Sequence, residues 1–401
     1  MTGMTAEPVV GLLQDLLRID SSNPGSDELE VATLIATCLH DQGIDAQIVE
    51  PKPGRASVVS RIAGRSAEPA LLVHAHLDTV AAGDGWSADP LGGTISGNDV
   101  WGRGALDMKH AVAMMLATES LLARQPPRHD VVFAYLADEE SGGRLGAQHL
   151  VADHPHLLAG VTQAVGEVGG FVVDGPGGPT ALLQRGEKGV IWARFEAPGA
   201  GGHGAFSDPT GVPVAKLADA VGRLSVPQPQ PASLGLPAWA ERLVALGSVT
   251  TFVATRLQAM SEGPNVVAAG GTLEIDARTA PGDHDRALEQ LIAVAAACEC
   301  ELTIIRDEPG YFAAESGRVV DAAREALFEV MGPTELVTFV LPAATDGRHF
   351  TQLGIEAYGF VPLPVPPGFD PLALMHAADE RVPLRSLEYG ARVLAEFVSR
   401  W

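Results

Sequence analysis

The sequence contains little cysteine. Its 401 residues include only Cys38, Cys298 and Cys300. Three cysteines are too few for a disulfide framework or a four-thiolate zinc site. This scarcity predicts a chain that works in a reducing, cytoplasmic setting.

Long apolar runs are absent as well. No eighteen consecutive apolar residues occur, which is about the length a helix needs to cross a bilayer. The segment from Met1 to Val10 lacks the basic start and apolar core of a secretion signal. We therefore expect no membrane partner.

Positive charge is also in short supply. The chain has 27 lysines and arginines against 50 acidic residues, a formal net charge of −23. This field repels phosphate backbones and anionic lipids, so nucleic acid is not an expected partner. A small acidic substrate would need a local cationic pocket.

What remains is the composition of a globular protein, with 46% apolar and 19% charged residues. The length exceeds that at which one hydrophobic core stops growing, which favours two domains. Helical spacing and short apolar runs alternate as in an α/β protein. They predict helices at 7–19, 28–39, 108–123, 317–330 and 385–401, and strands at 70–75, 131–137, 164–168, 336–340 and 355–360.

Between these α/β parts the pattern changes. Strands at 190–196, 249–257, 272–278 and 301–306 alternate with helices at 213–224 and 285–297. The order β-α-β-β-α-β predicts a ferredoxin-like unit with four antiparallel strands and two helices on one face. We expect this unit at 185–307 as an insertion into a domain formed by 1–184 and 308–401, with a surface loop at 226–237.

Polar side chains follow three of the predicted strands. His76 and Asp78 end the first, Glu139 and Glu140 follow the second, and Glu167 ends the third. An α/β sheet binds its ligands at this edge. The alternatives are a polar strand exit for His76 and Asp78, and solvent and counter-ions that offset the repulsion between adjacent acids.

Two further residues complete the candidate set. Asp107 ends a glycine-rich loop before a predicted helix, where the alternative is an N-cap. His376 lies near the C-terminus, where a single histidine would mean little by itself. Together the histidines and carboxylates form the ligand set of a hydrolytic zinc, cobalt or manganese pair.

The order of these motifs resembles the aminoacylase and glutamate-carboxypeptidase family of two-zinc metallopeptidases, which includes succinyl-diaminopimelate desuccinylase. The resemblance runs from Ser22-Asn23-Pro24 to the tail at 379–382. It implies a mixed-sheet zinc-peptidase domain whose ferredoxin-like insertion serves as lid and dimerisation domain.

The resemblance also implies residue roles. His76, Asp107 and Glu167 would hold one Zn²⁺, and Asp107, Glu140 and His376 the other, with Co²⁺ or Mn²⁺ as substitutes. Asp78 would orient His76 through its other ring nitrogen. Glu139 would take a proton from a water that bridges the two metals and later pass it to the leaving nitrogen.

Substrate contacts are expected from the insertion. His203 resembles the family histidine that reaches into the site of a partner subunit, which implies a homodimer. Asn265 and Arg278 resemble the anchors of a substrate carboxylate, for which the planar guanidinium is suited. Alternatively, His203 and Asn265 are plain turn residues and Arg278 is a surface charge.

Two other positions are left open. If the strand predicted at 164–168 is misassigned by one secondary-structure element, Asp153, His154 or His156 would replace Glu167 as ligand. His349 is expected to be a packed or surface histidine, although its segment resembles a substrate loop.

We therefore expect a metal-dependent hydrolase that cleaves an amide beside a free carboxylate, in an N-acyl amino acid or a short peptide. The alternatives are a carbamoyl or ureido amidohydrolase with the same metal core and a scaffold that has lost its chemistry.

Overall fold

The computed structural model describes residues 6–225 and 233–401, so residues 226–232 of the predicted loop lie outside the described residues. The helices are α1 Ala6–Leu17, α2 Leu29–Asp41, α3 Lys109–Arg124, α4 Ala147–Asp153, α5 Pro213–Leu224, α6 Ala238–Gly247, α7 His284–Ala297, α8 Arg318–Met331, α9 Gly347–Phe350, α10 Pro371–Leu374 and α11 Leu384–Arg400.

The strands are β1 Ala46–Lys52, β2 Arg55–Ile62, β3 Ser66–His76, β4 Thr94–Ser96, β5 Asp99–Trp101, β6 His129–Leu136, β7 Val161–Gly166, β8 Phe171–Gly175, β9 Gly178–Glu187, β10 Gly189–Pro198, β11 Gly202–His203, β12 Thr251–Gln258, β13 Val266–Val267, β14 Gly270–Thr279, β15 Glu301–Glu308, β16 Tyr311–Phe312, β17 Glu335–Leu341, β18 Glu356–Gly359, β19 Leu363–Pro364 and β20 Arg381–Pro383.

A large mixed sheet organises most of these elements. Its strand order is β1-β2-β6-β3-β7-β18-β9-β8-β19, and β16 and β17 also pair with β9. Strand β3 runs parallel to both β6 and β7. The carboxyl ends of these three strands therefore meet at one edge of the sheet, which confirms the predicted α/β class.

Strand β6 shows how the sheet is buried on both faces. All eight of its residues are buried. Val131, Phe133 and Tyr135 join one apolar cluster, whereas Val132 and Leu136 join the cluster on the opposite face. Side chains alternate along a strand, so a nearly continuous apolar run supplies both layers.

The four-stranded sheet has the order β12-β14-β10-β15, with every pairing antiparallel. Ile191 and Phe195 of β10 pack with Leu217 of α5 and Leu291 of α7 in a separate apolar cluster. The predicted ferredoxin-like arrangement is therefore present. Its limits as an independent domain and its role as a lid remain predictions, and β9 extends the large sheet as far as Glu187.

Some elements were not predicted. Strands β1 and β2 and helix α6 have short or interrupted apolar patterns, as the partly exposed sequence AQIVEPK of β1 illustrates. Within the described ranges, no helix has the length and apolar character needed to span a bilayer.

Candidate metal centre

The ends of the parallel strands bring the candidate residues together. His76 is the last residue of β3, Glu139 and Glu140 begin a 3-10 turn after β6, and Glu167 follows β7. Asp107 comes from the loop before α3, and His376 lies between α10 and β20. Segments distant in sequence thus converge on one edge of the sheet.

Asp107 lies between the two histidines. Its Oδ1 is 2.9 Å from His76 Nε2, and its Oδ2 is 3.1 Å from His376 Nε2. Each oxygen therefore faces a different imidazole. This is the arrangement expected of a carboxylate shared by two cations.

Glu140 and Glu167 each lie close to a different one of these two histidines. Glu140 Oε2 is 3.2 Å from His376 Nε2, and Glu167 Oε2 is 3.5 Å from His76 Nε2. The other carboxylate oxygen of each residue is buried without a hydrogen-bond partner among the described residues. Burying an unpaired carboxylate oxygen is costly, and a cation would remove that cost.

The pKa values of both histidines are raised by the negative charge of the surrounding carboxylates. Hydrogen bonds with Asp107 and Glu140 raise the pKa of His376 to about 10. Burial alone would lower the pKa of His76, but Glu167 and Asp107 outweigh burial and raise it well above its usual value. The donor set therefore fits divalent cations, which would neutralise the carboxylates and leave the imidazoles free to coordinate.

Glu139 lies within reach of the same centre. Donor atoms of His76, Glu139 and Glu167 lie within 4.8 Å of one another, as do those of His76, Asp107 and Glu140. Burial and the neighbouring Glu167 raise the pKa of Glu139 well above its usual value. Proximity alone would also suit a metal ligand, so the role of Glu139 as a base is a proposal.

Asp78 holds the turn that carries the acidic pair. Its Oδ1 accepts the backbone N–H of Glu139, and its Oδ2 accepts that of Glu140, both at 3.1 Å. Toward His76 the nearer acceptor is the backbone carbonyl of Asp78, 2.9 Å from Nδ1, whereas its carboxylate lies at 3.6 Å. The expected orientation of His76 thus comes mainly from the main chain of Asp78.

Asp107 does not cap helix α3. The residue that precedes the helix is Met108, and no side-chain capping bond is present there. The backbone N–H of Asp107 instead donates to Glu380 Oε1 at 3.0 Å, as does that of Leu106 at 2.6 Å. Arg103 adds an ion pair to Glu380 of 2.6 Å. Glu380, which the sequence did not single out, therefore fixes the Asp107 loop.

A sixth carboxylate belongs to the cluster. Asp346 is 2% exposed, and a Cβ built on Gly143, just beyond the Glu139 turn, would lie 2.3 Å from its Oδ1. Burial, with nearby Glu167, raises the pKa of Asp346 well above its usual value. Apart from the resemblance of its segment to a substrate loop, no sequence pattern marks this residue.

Strained backbone surrounds the same centre. Left-handed φ angles occur at Asp138 (70°), Val168 (52°) and His376 (61°). The first two residues adjoin Glu139 and Glu167. Such conformations cost about 1–3 kcal/mol each and cluster at functional sites, so they support a functional role for this edge.

The predicted substrate residues lie on or beside β11, β13 and β14. His203 is exposed on β11, and the backbone carbonyl of exposed Asn265 accepts the Gly204 N–H at 2.8 Å. Arg278 lies on β14 and donates to Asp276 at 2.9 Å. In the described part of the chain, none of these three side chains forms a hydrogen bond with the acidic cluster.

The alternative ligands are not at the centre either. Asp153, His154 and His156 precede β7, whereas Glu167 follows it, so they lie toward the opposite end of that strand. His349 is 9% exposed, and its Nε2 lies 3.3 Å from the carbonyl oxygen of Gly142. It is packed beside the site, as expected.

Several known proteins are similar in sequence to this chain. A succinyl-diaminopimelate desuccinylase from Cereibacter sphaeroides is 33% identical over 229 residues, covering 55% of this chain and 57% of that protein. The chain thus spans little more than half of that relative's length. A protein of the same name from Wolinella succinogenes is 26% identical over 391 residues, covering 97% of this chain and 98% of that protein.

Solved structures show the same fold. An M20 family metallo-carboxypeptidase from Sulfolobus solfataricus has a TM-score of 0.74 at 17% identity, over 98% of both chains. A dinuclear metal-binding M20 peptidase from Bacillus subtilis has a TM-score of 0.69 at 16% identity, over 98% of this chain and 97% of that one. The profile of peptidase family M20/M25/M40 matches residues 72–400. Because this match covers most of the chain, the protein belongs to peptidase family M20/M25/M40.

Proposed function

We propose that this protein is a two-metal hydrolase that cleaves an amide bond beside a free carboxylate. The observation that carries the proposal is the position of Asp107, whose two oxygens face His76 and His376 separately. A carboxylate shared in this way has no evident structural purpose, because Asp107 does not cap α3. Family membership supports the same reaction class.

We assign the candidate ligands to two cation positions. His76, Asp107 and Glu167 would hold one ion, and Asp107, Glu140 and His376 the other. Imidazole and carboxylate donors without thiolate suit Zn²⁺, which we propose as the native metal, and also Co²⁺ or Mn²⁺. When bound, such a pair supplies Lewis acidity toward the amide carbonyl and lowers the pKa of an attacking water.

Glu139 is proposed as the general base. It lies within reach of the cation positions, and Asp78 holds its backbone in place. Burial and Glu167 raise its pKa, which improves its ability to accept a proton from water. Glu139 then returns that proton to the departing nitrogen.

The substrate carboxylate is assigned to Arg278. This arginine lies on the face of β14 near Lys188, and its charge contributes, after burial, to lowering the pKa of Lys188 to about 8. Arg278 and Lys188 are neighbouring cations on a chain of net charge −23, and Asp276 pairs with Arg278 at 2.9 Å, so a substrate carboxylate would replace Asp276 at the guanidinium. The desuccinylase relatives support including N-succinyl amino acids among N-acyl amino acids and short peptides as candidate substrates.

His203 and Asn265 are proposed to complete the site of a partner subunit. His203 is exposed and lies on the exposed ribbon of β11 and β13, together with Phe206, which is 90% exposed. An exposed histidine and phenylalanine suit contact with a second copy of the chain. A homodimer formed through the four-stranded sheet domain follows from this proposal, and the three cysteines of the chain support a reducing, cytoplasmic setting as a further part of it.

A single substitution tests the mechanism. Glu139→Gln should retain the bound metal and lose several orders of magnitude in kcat, measured on a panel of N-acetyl, N-succinyl and N-carbamoyl amino acids and dipeptides. Elemental analysis of the same samples distinguishes the two possible roles of Glu139, because replacing a base retains the bound metal whereas replacing a ligand lowers it. Near wild-type turnover by the variant would refute the mechanism. If the wild-type protein cleaves only the N-carbamoyl members of the panel, the ureido reaction is favoured.

A further inference from the structure

The chain passes between the large mixed sheet and the four-stranded sheet at two places that touch each other. It leaves β9 at Glu187 and begins β10 at Gly189, and it returns from Glu308 of β15 to Tyr311 of β16. A Cβ built on Gly189 would lie 2.6 Å from the backbone nitrogen of Gly310. Both crossings therefore share one narrow junction, where a small rotation would move the whole four-stranded sheet.

One arginine ties the two crossings together. Arg348 Nη1 lies 2.8 Å from Glu308 Oε2, and its Nη2 lies 3.4 Å from Glu187 Oε2. The side chain of Glu187 is 1% exposed, so its charge depends on nearby partners. Because the guanidinium is planar and rigid, it fixes the separation of the two carboxylates.

Glu187 also holds the loop that carries Asp346. Thr345 Oγ1 donates to Glu187 Oε1, and the N–H of Gly347 donates to Thr345 Oγ1 at 3.0 Å. Asp346 lies between these two residues and packs closely against Gly143, beside the turn of Glu139. The position of the junction is thus linked to the catalytic turn.

On the other side, the junction adjoins the proposed substrate anchor. Val190 of β10 pairs with Arg278 on one neighbouring strand and with Glu308 on the other. Directly opposed residues of adjacent strands share a face of the sheet. Arg278 and Glu308 therefore flank Val190 on the same face.

We infer that Arg348 is a positioning residue for hydrolysis. With Glu187 and Glu308 it fixes the distance between Arg278, which would hold the substrate carboxylate, and Glu139, which would activate the water. The inference rests on the proposed function, because the placement of Arg278 matters only if it binds substrate. A misplacement of about 1 Å at a reacting centre can cost about a hundredfold in rate.

Glu308→Gln tests this role, since it removes the charge that Arg348 contacts at 2.8 Å and preserves the side-chain volume; it also breaks the 2.6 Å ion pair between Glu308 and Arg306. We expect kcat for the fastest-cleaved member of the panel to fall about tenfold with KM within about twofold, because substrate still binds but is misplaced. Glu274→Gln on β14 is the control. It breaks an ion pair with Arg194 of 2.9 Å on the same sheet, remote from the junction, and should leave kcat within about twofold.

The Arg278→Met background separates positioning from general damage. If Glu308 acts through the anchor, Glu308→Gln should cost less than about twofold once Arg278 is replaced, because coupled residues are not additive. An equal loss in both backgrounds, or equal effects of Glu308→Gln and Glu274→Gln, would overturn the inference. Metal content and the unfolding midpoint, measured on each variant, should match those of the wild type.

Failure of this inference can be distinguished from failure of the proposed function. An inactive Glu139→Gln variant together with an unaffected Glu308→Gln variant would reject only the positioning role. A fully active Glu139→Gln variant would reject the proposed mechanism, whatever Glu308→Gln does.

Discussion

Replacing Glu380 with glutamine should destabilise the protein far more than its single lost charge suggests. The carboxylate is fully buried and accepts backbone N–H groups from Gly104 at 3.2 Å, Leu106 at 2.6 Å and Asp107 at 3.0 Å. It also pairs with Arg103, which is 3% exposed. Glutamine would retain only one of the two carboxylate oxygens that accept from these donors.

The magnitude follows from these contacts. Breaking a buried ion pair by neutralising one partner costs about 3–5 kcal/mol, because the remaining charge is left uncompensated. The amide NH₂ of glutamine would face at least one donor, which adds to this cost. A loss of about 4 kcal/mol is a large share of the usual 5–15 kcal/mol of folding stability.

The assay is urea unfolding followed by circular dichroism, with chelator present so that metal binding does not contribute. Glu329→Gln is the matched control, since Glu329 pairs with Arg400 at 3.3 Å but is 56% exposed. Such a surface pair contributes about 0–1 kcal/mol. If both variants shift the free energy of unfolding equally, the assigned role of Glu380 is wrong.

Three other changes have defined outcomes. Asp107→Ala should lower the bound metal from about two ions per chain to less than one, by elemental analysis, because both cation positions share Asp107; full retention would contradict the bridge. Mixing inactive His203→Ala with inactive Glu139→Gln should restore up to about a quarter of wild-type activity if each dimer can contain one intact site, and no recovery after subunit exchange would contradict a shared site. Burial raises the pKa of Glu119 from 4.5 to about 7, so its contribution to stability is complete below pH 4.5 and is lost as pH rises through 7, by about 3 kcal/mol. Glu119→Gln should therefore flatten the dependence of unfolding free energy on pH between about 4.5 and 7, and an unchanged slope would contradict this.

A strand could be predicted from the sequence where its apolar pattern follows directly from its burial. Strand β6 is a nearly continuous apolar run followed by acids, so its burial and its polar end could both be predicted. Strand β1 could not be recognised, because only one of its seven residues is buried and its pattern carries no clear period.

The same contrast applies to the site. His76, Glu139, Glu140 and Glu167 stand at strand ends, where topology alone brings side chains together. Asp346 and Glu380 lie in loops, and whether a loop carboxylate is buried depends on which distant segments close over it.

By itself, the sequence determined the α/β class, the ferredoxin-like order of the middle segment and the identity of the candidate ligands, because periodicity and residue chemistry are local properties. Only the tertiary structure decided that Glu380 fixes the Asp107 loop and that Arg348 joins both crossings. These contacts link residues up to 277 positions apart, as Arg103 and Glu380 are, and no local pattern encodes such a distance.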